Sequence, residues 1–415
     1  MLSDSDSVTP TRPTPGGVMK ITAVRITPAG IPITMPLLHS WGVHPGFGRI
    51  IVEIDTDEGI TGLGECSLSP SRAQEEVLKA FVPLLIGEDP FNIERIKVKL
   101  AAPFYVRMFG NTITTGFAAV EFALLDITGK ALGVPVYTLL GGKMKDHVNF
   151  SGYVFYPAGY DEWERTDAAL IDHVRALVEE KGFTSVKFKC GVFHPNKEIA
   201  TFRHIREAFP ELPIRMDPNS IWSVATAVRV ARKLVELDPE YLEDPTWGMA
   251  GMARVKRMSP NIPLASNMAV FGYEDIAPGL LLDAVDVILA DIHWYGGLRG
   301  VRELAKLCET LGLDCGMHSG TEFGISMAAM LHVNASISSM SHQADSHYHY
   351  LTDDVITEPF TFSEGAISVP DAPGLGVELD QDKLARYHEL YEMVIGAASA
   401  METISGGALA VKPRF

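Results

Sequence analysis

Cysteine is scarce in this 415-residue sequence. Cys66, Cys190, Cys308 and Cys315 are widely spread, and none forms a CxxC pair or a Cys/His spacing suited to zinc. They are expected as reduced, buried thiols of a cytoplasmic protein. No stretch of about 18 uncharged apolar residues is present, which argues against a membrane span. No GxGxxG follows an early strand, which disfavours a pyridine-nucleotide enzyme. Positive charge is also in short supply. Lys and Arg number 35 against 52 Asp and Glu, for a net charge of −17. Such a surface repels nucleic acid and anionic lipid, because phosphate binding needs clustered cations. A small-molecule partner is favoured. Residues 1–18, rich in Ser, Asp, Thr and Pro, lack the basic start and apolar run of a signal peptide and read as a disordered tail.

What is present is an ordinary globular composition, 47% hydrophobic and 21% charged, at a length that suggests two to three domains. From Met19, KITAVRITPAG and RIIVEIDTDEGITGLGE alternate apolar and polar residues, with Asp57-Glu58-Gly59 as a hairpin turn. Residues 71–132 read as mostly helical, and Gly133-Val134-Pro135 stops the last helix. Residues 19–145 are therefore expected as an α+β capping domain. Between 146 and 352 the rhythm changes to eight strand–helix units. The expected strands are 148–155, 185–190, 213–217, 241–244, 263–267, 285–291, 313–318 and 334–340. Eight such units imply an α/β fold, a modified TIM (β/α) barrel with helices outside. The segment 353–415 breaks the rhythm and is expected to return to the capping domain.

In such a barrel, function sits at the carboxyl ends of the strands. Six consecutive strands end in Lys187 and Lys189, Asp217 and Asn219, Glu243 and Asp244, Asn267, Asp291, and His318. Asp217, Glu243 and Asn267 stand one strand–helix unit apart and offer hard oxygens suited to Mg²⁺. Asp244 is either a supporting residue or a helix cap. Lys187 and Lys189 share the barrel-facing side of one strand. Repulsion and desolvation should depress at least one of their pKa values, which suits a general base. Asp291 beside His318 would fix its tautomer and support its charged form. A metal with a base on either side suits removal of the proton next to a carboxylate.

At these residues the sequence resembles the enolase superfamily, and within it the glucarate dehydratase group of acid-sugar dehydratases. The resemblance spans the chain from about Met19. It rests on GVH (42–44), TDEGITGLGE (56–65), SGYVFY (151–156), FKCGV (188–192), MDPNSIWS (216–223), LEDP (242–245), ASNM (265–268), MHSG (317–320), DSHYH (345–349) and PGLGVELD (373–380). It implies Asp217, Glu243 and Asn267 as Mg²⁺ ligands, the asparagine being a mark of this group. Lys189 and the Asp291–His318 pair would be the acid/base groups, and Lys187 would touch the substrate carboxylate. His44, Tyr153, Asn219, Ser319 and His347 match substrate-contact positions. His342, His347 and His349 are expected as hydrated loop histidines, not as a zinc cluster. The family's substrate-binding threonine before the long helix is replaced by YVRMFGNT (105–112), which puts Arg107 in its place. At the C-terminal KPRF, Arg414 supplies the family's terminal arginine contact or that contact is lost.

The expected activity is Mg²⁺-dependent dehydration of an aldarate or aldonate to a 2-keto-3-deoxy acid, in a homo-oligomer. Two alternatives stay open: a racemase or epimerase using the same groups, and a non-catalytic sugar-acid-binding barrel.

Overall fold

The computed structural model describes residues 18–40, 42–68, 72–104, 110–157 and 163–404. The tail expected over 1–18, all but Val18, lies outside the described residues, as do Arg107 and Arg414. The chain opens with two long antiparallel strands, β1 (Ile21–His39) and β2 (Gly42–Thr56), and β2 turns through Asp57-Glu58-Gly59 into β3 (Thr61–Ser67). Gly59 takes φ +76°, a conformation that favours glycine. Helices α1 (Ala73–Leu85), α2 (Ile93–Ala101), α3 (Gly110–Leu132) and the short α4 (Val136–Leu139) follow.

The glycines of TGLGE explain how α3 packs. A Cβ on Gly62 would stand 2.1 Å from the carbonyl oxygen of Ala123, and one on Gly64 only 1.9 Å from that of Ala119. Helix and strand backbones touch, leaving no room for a side chain. Gly64→Ala is expected to cost about 1–3 kcal/mol, the usual range for overpacking, read as a lower midpoint in thermal unfolding.

Alternating strands and helices make the second unit: β4 (His147–Val154), the two-residue β5 (Tyr156–Pro157) that pairs back onto β1, α5 (Trp163–Glu179), β6 (Val186–Lys189), α6 (Pro195–Ala208), β7 (Ile214–Asp217), α7 (Val224–Leu234), β8 (Tyr241–Glu243), α8 (Met249–Met258), β9 (Leu264–Ser266), α9 (Tyr273–Leu281), β10 (Val287–Ala290), α10 (Leu298–Leu311), β11 (Asp314–Met317), α11 (Gly324–Ala335) and β12 (Ala344–Ser346). The strands pair in parallel in the order β11-β10-β9-β8-β7-β6-β4-β12. The two edges approach each other at a parallel bridge between Cys315 and Met340 and at the Ser341 N–H, which donates to the Cys315 carbonyl at 3.1 Å. This is a barrel-like α/β unit. The eighth strand is not where the sequence pattern put it. Residues 334–335 finish α11, whose wholly buried run has no breaker before Ser336, and the strand is Ala344–Ser346.

The C-terminal segment does two things. Its β13 (Ala366–Ser368) first pairs with β4. Then α12 (Gln381–Ile404) packs on β1 and β2, where Gly30 lies close against Tyr391 and His388 Nδ1 meets the Pro28 carbonyl at 2.8 Å. Two buried carboxylates of the capping unit also sit on barrel helices. Glu121 accepts from the Leu298 N–H at the start of α10, and Glu65 accepts from Phe323 (2.9 Å) and Ser326 (2.8 Å) at the start of α11. Neither helix has a side-chain cap of its own at its N-cap residue, and negative charge there is favourable. All four cysteines are buried and free. Among the described residues no helix is long and apolar enough to cross a membrane.

Candidate active site

On β6, Val186 and Phe188 alternate with Lys187 and Lys189, and all four are buried. Lys187 Nζ lies 2.6 Å from Asp345 Oδ2, 3.3 Å from Tyr153 Oη and 4.0 Å from Asp217, and it pairs with Glu243. The Lys189 ammonium pairs with Asp217 and stands 3.4 Å from Asn219 Oδ1. The expected depression of a lysine pKa does not hold for Lys187. Burial pulls it down, but Asp345, Glu243 and Asp217 outweigh burial and hold it above its ordinary value. Lys187 is thus a fixed cation and a poor base. Asp345, overlooked in reading the strand ends, also takes Arg215 Nη1 at 2.8 Å. Arg215 stands two residues before Asp217 on β7, on the same strand face, and that period of two was the available signal.

Asp217 and Glu243 end the neighbouring strands β7 and β8, and Asn267 directly follows β9; the ladder pairs Met216 with Leu242 and Glu243 with Ala265. Two of their oxygens, Glu243 Oε1 and Asn267 Oδ1, are buried and accept no hydrogen bond. Buried acceptors normally find a partner. Here they sit beside a second carboxylate, a donor set that fits a hard divalent cation. Burial and the Asp217 charge push Glu243 well above the usual carboxylate range, the response of an acid pair that wants positive charge. Among the described residues no group of three or more His, Cys, Asp or Glu side chains is placed to hold a metal; the third donor in this set is an amide. Asp244 is a positioning residue. Its Oδ2 accepts from the Asn267 N–H at 2.9 Å and the Met268 N–H at 3.1 Å, and its Oδ1 from Ser266 Oγ at 2.6 Å.

Backbone strain gathers at these strand ends. Asn219 (φ +51°) and Ser220 (+61°) follow β7, Asp244 (+36°) follows β8 and Thr321 (+68°) follows β11. Non-glycine residues rarely adopt such angles, and they concentrate at functional sites.

His318 Nδ1 lies 2.8 Å from Asp291 Oδ2, which leaves Nε2 for the cavity that His318 lines. Its ring stacks on Trp294 at 4.9 Å. The other Asp291 oxygen accepts from the His293 N–H at 2.8 Å and faces His293 Nδ1 at 3.2 Å. Burial would raise Asp291, but the bonds from His293 and His318 outweigh it and hold the carboxyl well below the usual range. His293 stood unassigned two residues beyond Asp291. Its Nε2 faces Arg49 Nη2 at 2.9 Å. The same imidazole nitrogen stands 3.2 Å from the Glu65 carbonyl oxygen and 3.2 Å from Ser326 Oγ. Arg49 is wholly buried and bonds Glu65 Oε1 at 2.6 Å. The capping strands β2 and β3 thus reach through Arg49 and His293 to the Asp291–His318 pair. Glu65→Gln would leave the Arg49 charge buried and unpaired. It is expected to cost about 3–5 kcal/mol, measured as a drop in the urea unfolding midpoint.

These groups open on a cavity of about 570 Å³ lined by Lys189, Asn219, Asn267, His318, Ser319, His44 and His347, among others. The volume lies mid-range for small-molecule sites, about 300–1,000 Å³. Ser319 Oγ donates to Glu322 at 2.6 Å and accepts from His347 Nδ1 at 2.8 Å. Two expected substrate contacts differ. Lys187 and Tyr153 are fully buried and absent from the cavity lining. Three carboxylates draw the Lys187 ammonium inward, and the Tyr153 ring packs against His347 at 4.1 Å. The reading of hydrated loop histidines also fails. His347 is buried, His342 Nδ1 bonds Glu240 at 2.7 Å, and His349 packs on Tyr350 at 4.3 Å. They face different partners and do not assemble a metal site.

The Enolase C-terminal domain-like family matches residues 169–383, and the mandelate racemase / muconate lactonizing enzyme N-terminal domain matches residues 21–141. A protein of Streptomyces coelicolor named probable glucarate dehydratase is 41% identical, over 89% of this chain and 91% of its own. The N-succinyl-L-Arg/Lys racemase of Bacillus cereus is 27% identical over 88% of this chain and 97% of its own. The crystal structure of an enolase from Thermobispora bispora, complexed with magnesium and formate, superposes with a TM-score of 0.86 at 38% identity, covering 96% of this chain and 100% of that one. Matched by both domain families and by a 41% identical relative over 89% of its length, the chain belongs to the enolase superfamily of enzymes.

Proposed function

We propose that the protein is a Mg²⁺-dependent acid-sugar dehydratase. Asp217, Glu243 and Asn267 would hold the metal. When bound, it supplies positive charge where negative charge develops on the substrate carboxylate. The observation that carries the reading is the placement of Lys189 and His318 in one cavity with Asn267, whose oxygen lacks a partner. Lys189 or His318 takes the proton from the carbon next to the carboxylate. Lys187 stays protonated among Asp345, Glu243 and Asp217 and offsets part of their negative charge beneath the site. The metal, together with Lys189 on the cavity wall, would supply the local positive charge that reconciles an anionic substrate with a net charge of −17. Asp291 supports the charged form of His318, which then protonates the departing β-hydroxyl, and water leaves. The enol product becomes a 2-keto-3-deoxy acid.

A panel of aldonates and aldarates incubated with the protein and Mg²⁺, read out as semicarbazone formation, should give keto acid from at least one member. No keto acid from any member would sink the reading.

A further inference from the structure

Resting on that reading of the reaction, we propose that the cavity is built for a monocarboxylate whose far end is uncharged and poor in hydroxyls, a deoxy sugar acid, in preference to a dicarboxylate. The reacting end is cationic and polar: Lys189, Asn219, Asn267 and His318. Most of the remaining wall is carbon, with His44, Ser319, Thr321 and His347 as its polar side chains. Leu37 and Phe47 come from the capping strands, Phe155 follows β4, Trp247 follows β8, and Met268 and Phe271 follow β9. Among the described residues Lys189 is the only lysine or arginine lining the cavity, and it stands at the reacting end, paired with Asp217.

The two imidazoles that line the cavity besides His318 do not replace a cation. Burial pushes His44 down to about 4. Burial, then Lys189 and His318, push His347 far below its ordinary range. A second carboxylate would therefore lose water and meet carbon, and a buried charge without a partner is costly. Trp247 is 65% exposed, whereas the other described lining residues are buried or half-buried. An exposed indole there is suited to cover an apolar ligand end.

The test pairs each 6-deoxyhexonate with the hexarate of the same configuration at C2 to C5, in the presence of Mg²⁺. The deoxy acid should show at least a tenfold higher kcat/KM and a correspondingly tighter Kd by calorimetry. An equal or greater preference for the hexarate overturns the proposal. So does a hexarate preference that vanishes in Arg107→Met, which would assign the missing counter-charge to Arg107. If neither acid reacts, the calorimetric preference alone decides the ligand class, the dehydratase reading being decided by the full acid-sugar panel; binding of neither acid overturns this proposal. Trp247→Arg, which adds a cation at the far wall, should lower the deoxy-to-hexarate ratio at least tenfold. An unchanged ratio would mean that the substrate does not reach that wall.

Discussion

His318→Asn should lower kcat for dehydration by about 10³–10⁴-fold while leaving the fold intact. Asparagine can still donate to Asp291, so the carboxylate that also holds His293 and Trp294 keeps a partner. What disappears is the titratable nitrogen facing the cavity. General acid and base catalysis contribute about 10²–10⁴-fold, and His318 is assigned to the β-hydroxyl in addition to its share in proton abstraction. The effect should fall on kcat, since Lys189 and the metal donors that hold the substrate are unchanged. The unfolding midpoint should stay near that of the parent, because the ring lies on a cavity wall and its loss opens no closed core. Steady-state kinetics with thermal unfolding separates the two. Full turnover in the variant would remove the role given to His318.

Asn267→Ala should lower kcat/KM by more than about 10³-fold, because a metal's stabilisation of developing charge is worth several kcal/mol and each 1.4 kcal/mol is tenfold. Calorimetric Mg²⁺ affinity should fall by at least about 100-fold, since even residues that merely support ligands cost 10–100-fold when removed. Asn267→Asp keeps a hard oxygen at the same place and should retain Mg²⁺ binding. This contrast distinguishes a ligand from a packing residue. Asp244 fixes the Asn267 backbone in all three proteins, so the variants differ in the side-chain donor alone. Unchanged Mg²⁺ affinity in the alanine variant would reject the assignment.

The chemistry-bearing residues were legible because barrel strands are short and buried, so a polar residue at a strand end stands out against Val, Ile and Leu. Spacings near 25 residues then placed Asp217, Glu243, Asn267, Asp291 and His318 on one rim. Supporting residues were less legible. Arg49, Glu65 and His293 meet only through folding, across more than 200 residues between Arg49 and His293, and no local pattern marks such a contact. Lys187 shows the limit of counting like charges along one strand. Against burial its pKa is raised by Asp345, Glu243 and Asp217 together, and Asp345 stands on β12, two strands over in the sheet but 158 residues on in the sequence, which strand-end spacing did not bring near. The eighth strand was misplaced for a related reason. Apolar residues at 335 and 337 fit a strand as well as the end of a buried helix, and the unbroken burial of α11 decides for the helix. The character of the cavity wall was hidden as well, since Leu37, Phe47, Trp247 and Phe271 lie in four separate stretches.

Proton NMR of the reaction in D₂O tests the central claim most directly. With Mg²⁺ and a reactive acid sugar, the spectrum should show loss of the α-proton signal and growth of a 2-keto-3-deoxy acid carrying one deuterium at C3, where the enol takes its proton from solvent. Deuterium at the α-carbon of recovered substrate with no keto acid would contradict dehydration and leave a racemase or epimerase, and an unchanged spectrum across the acid-sugar panel would contradict proton abstraction itself.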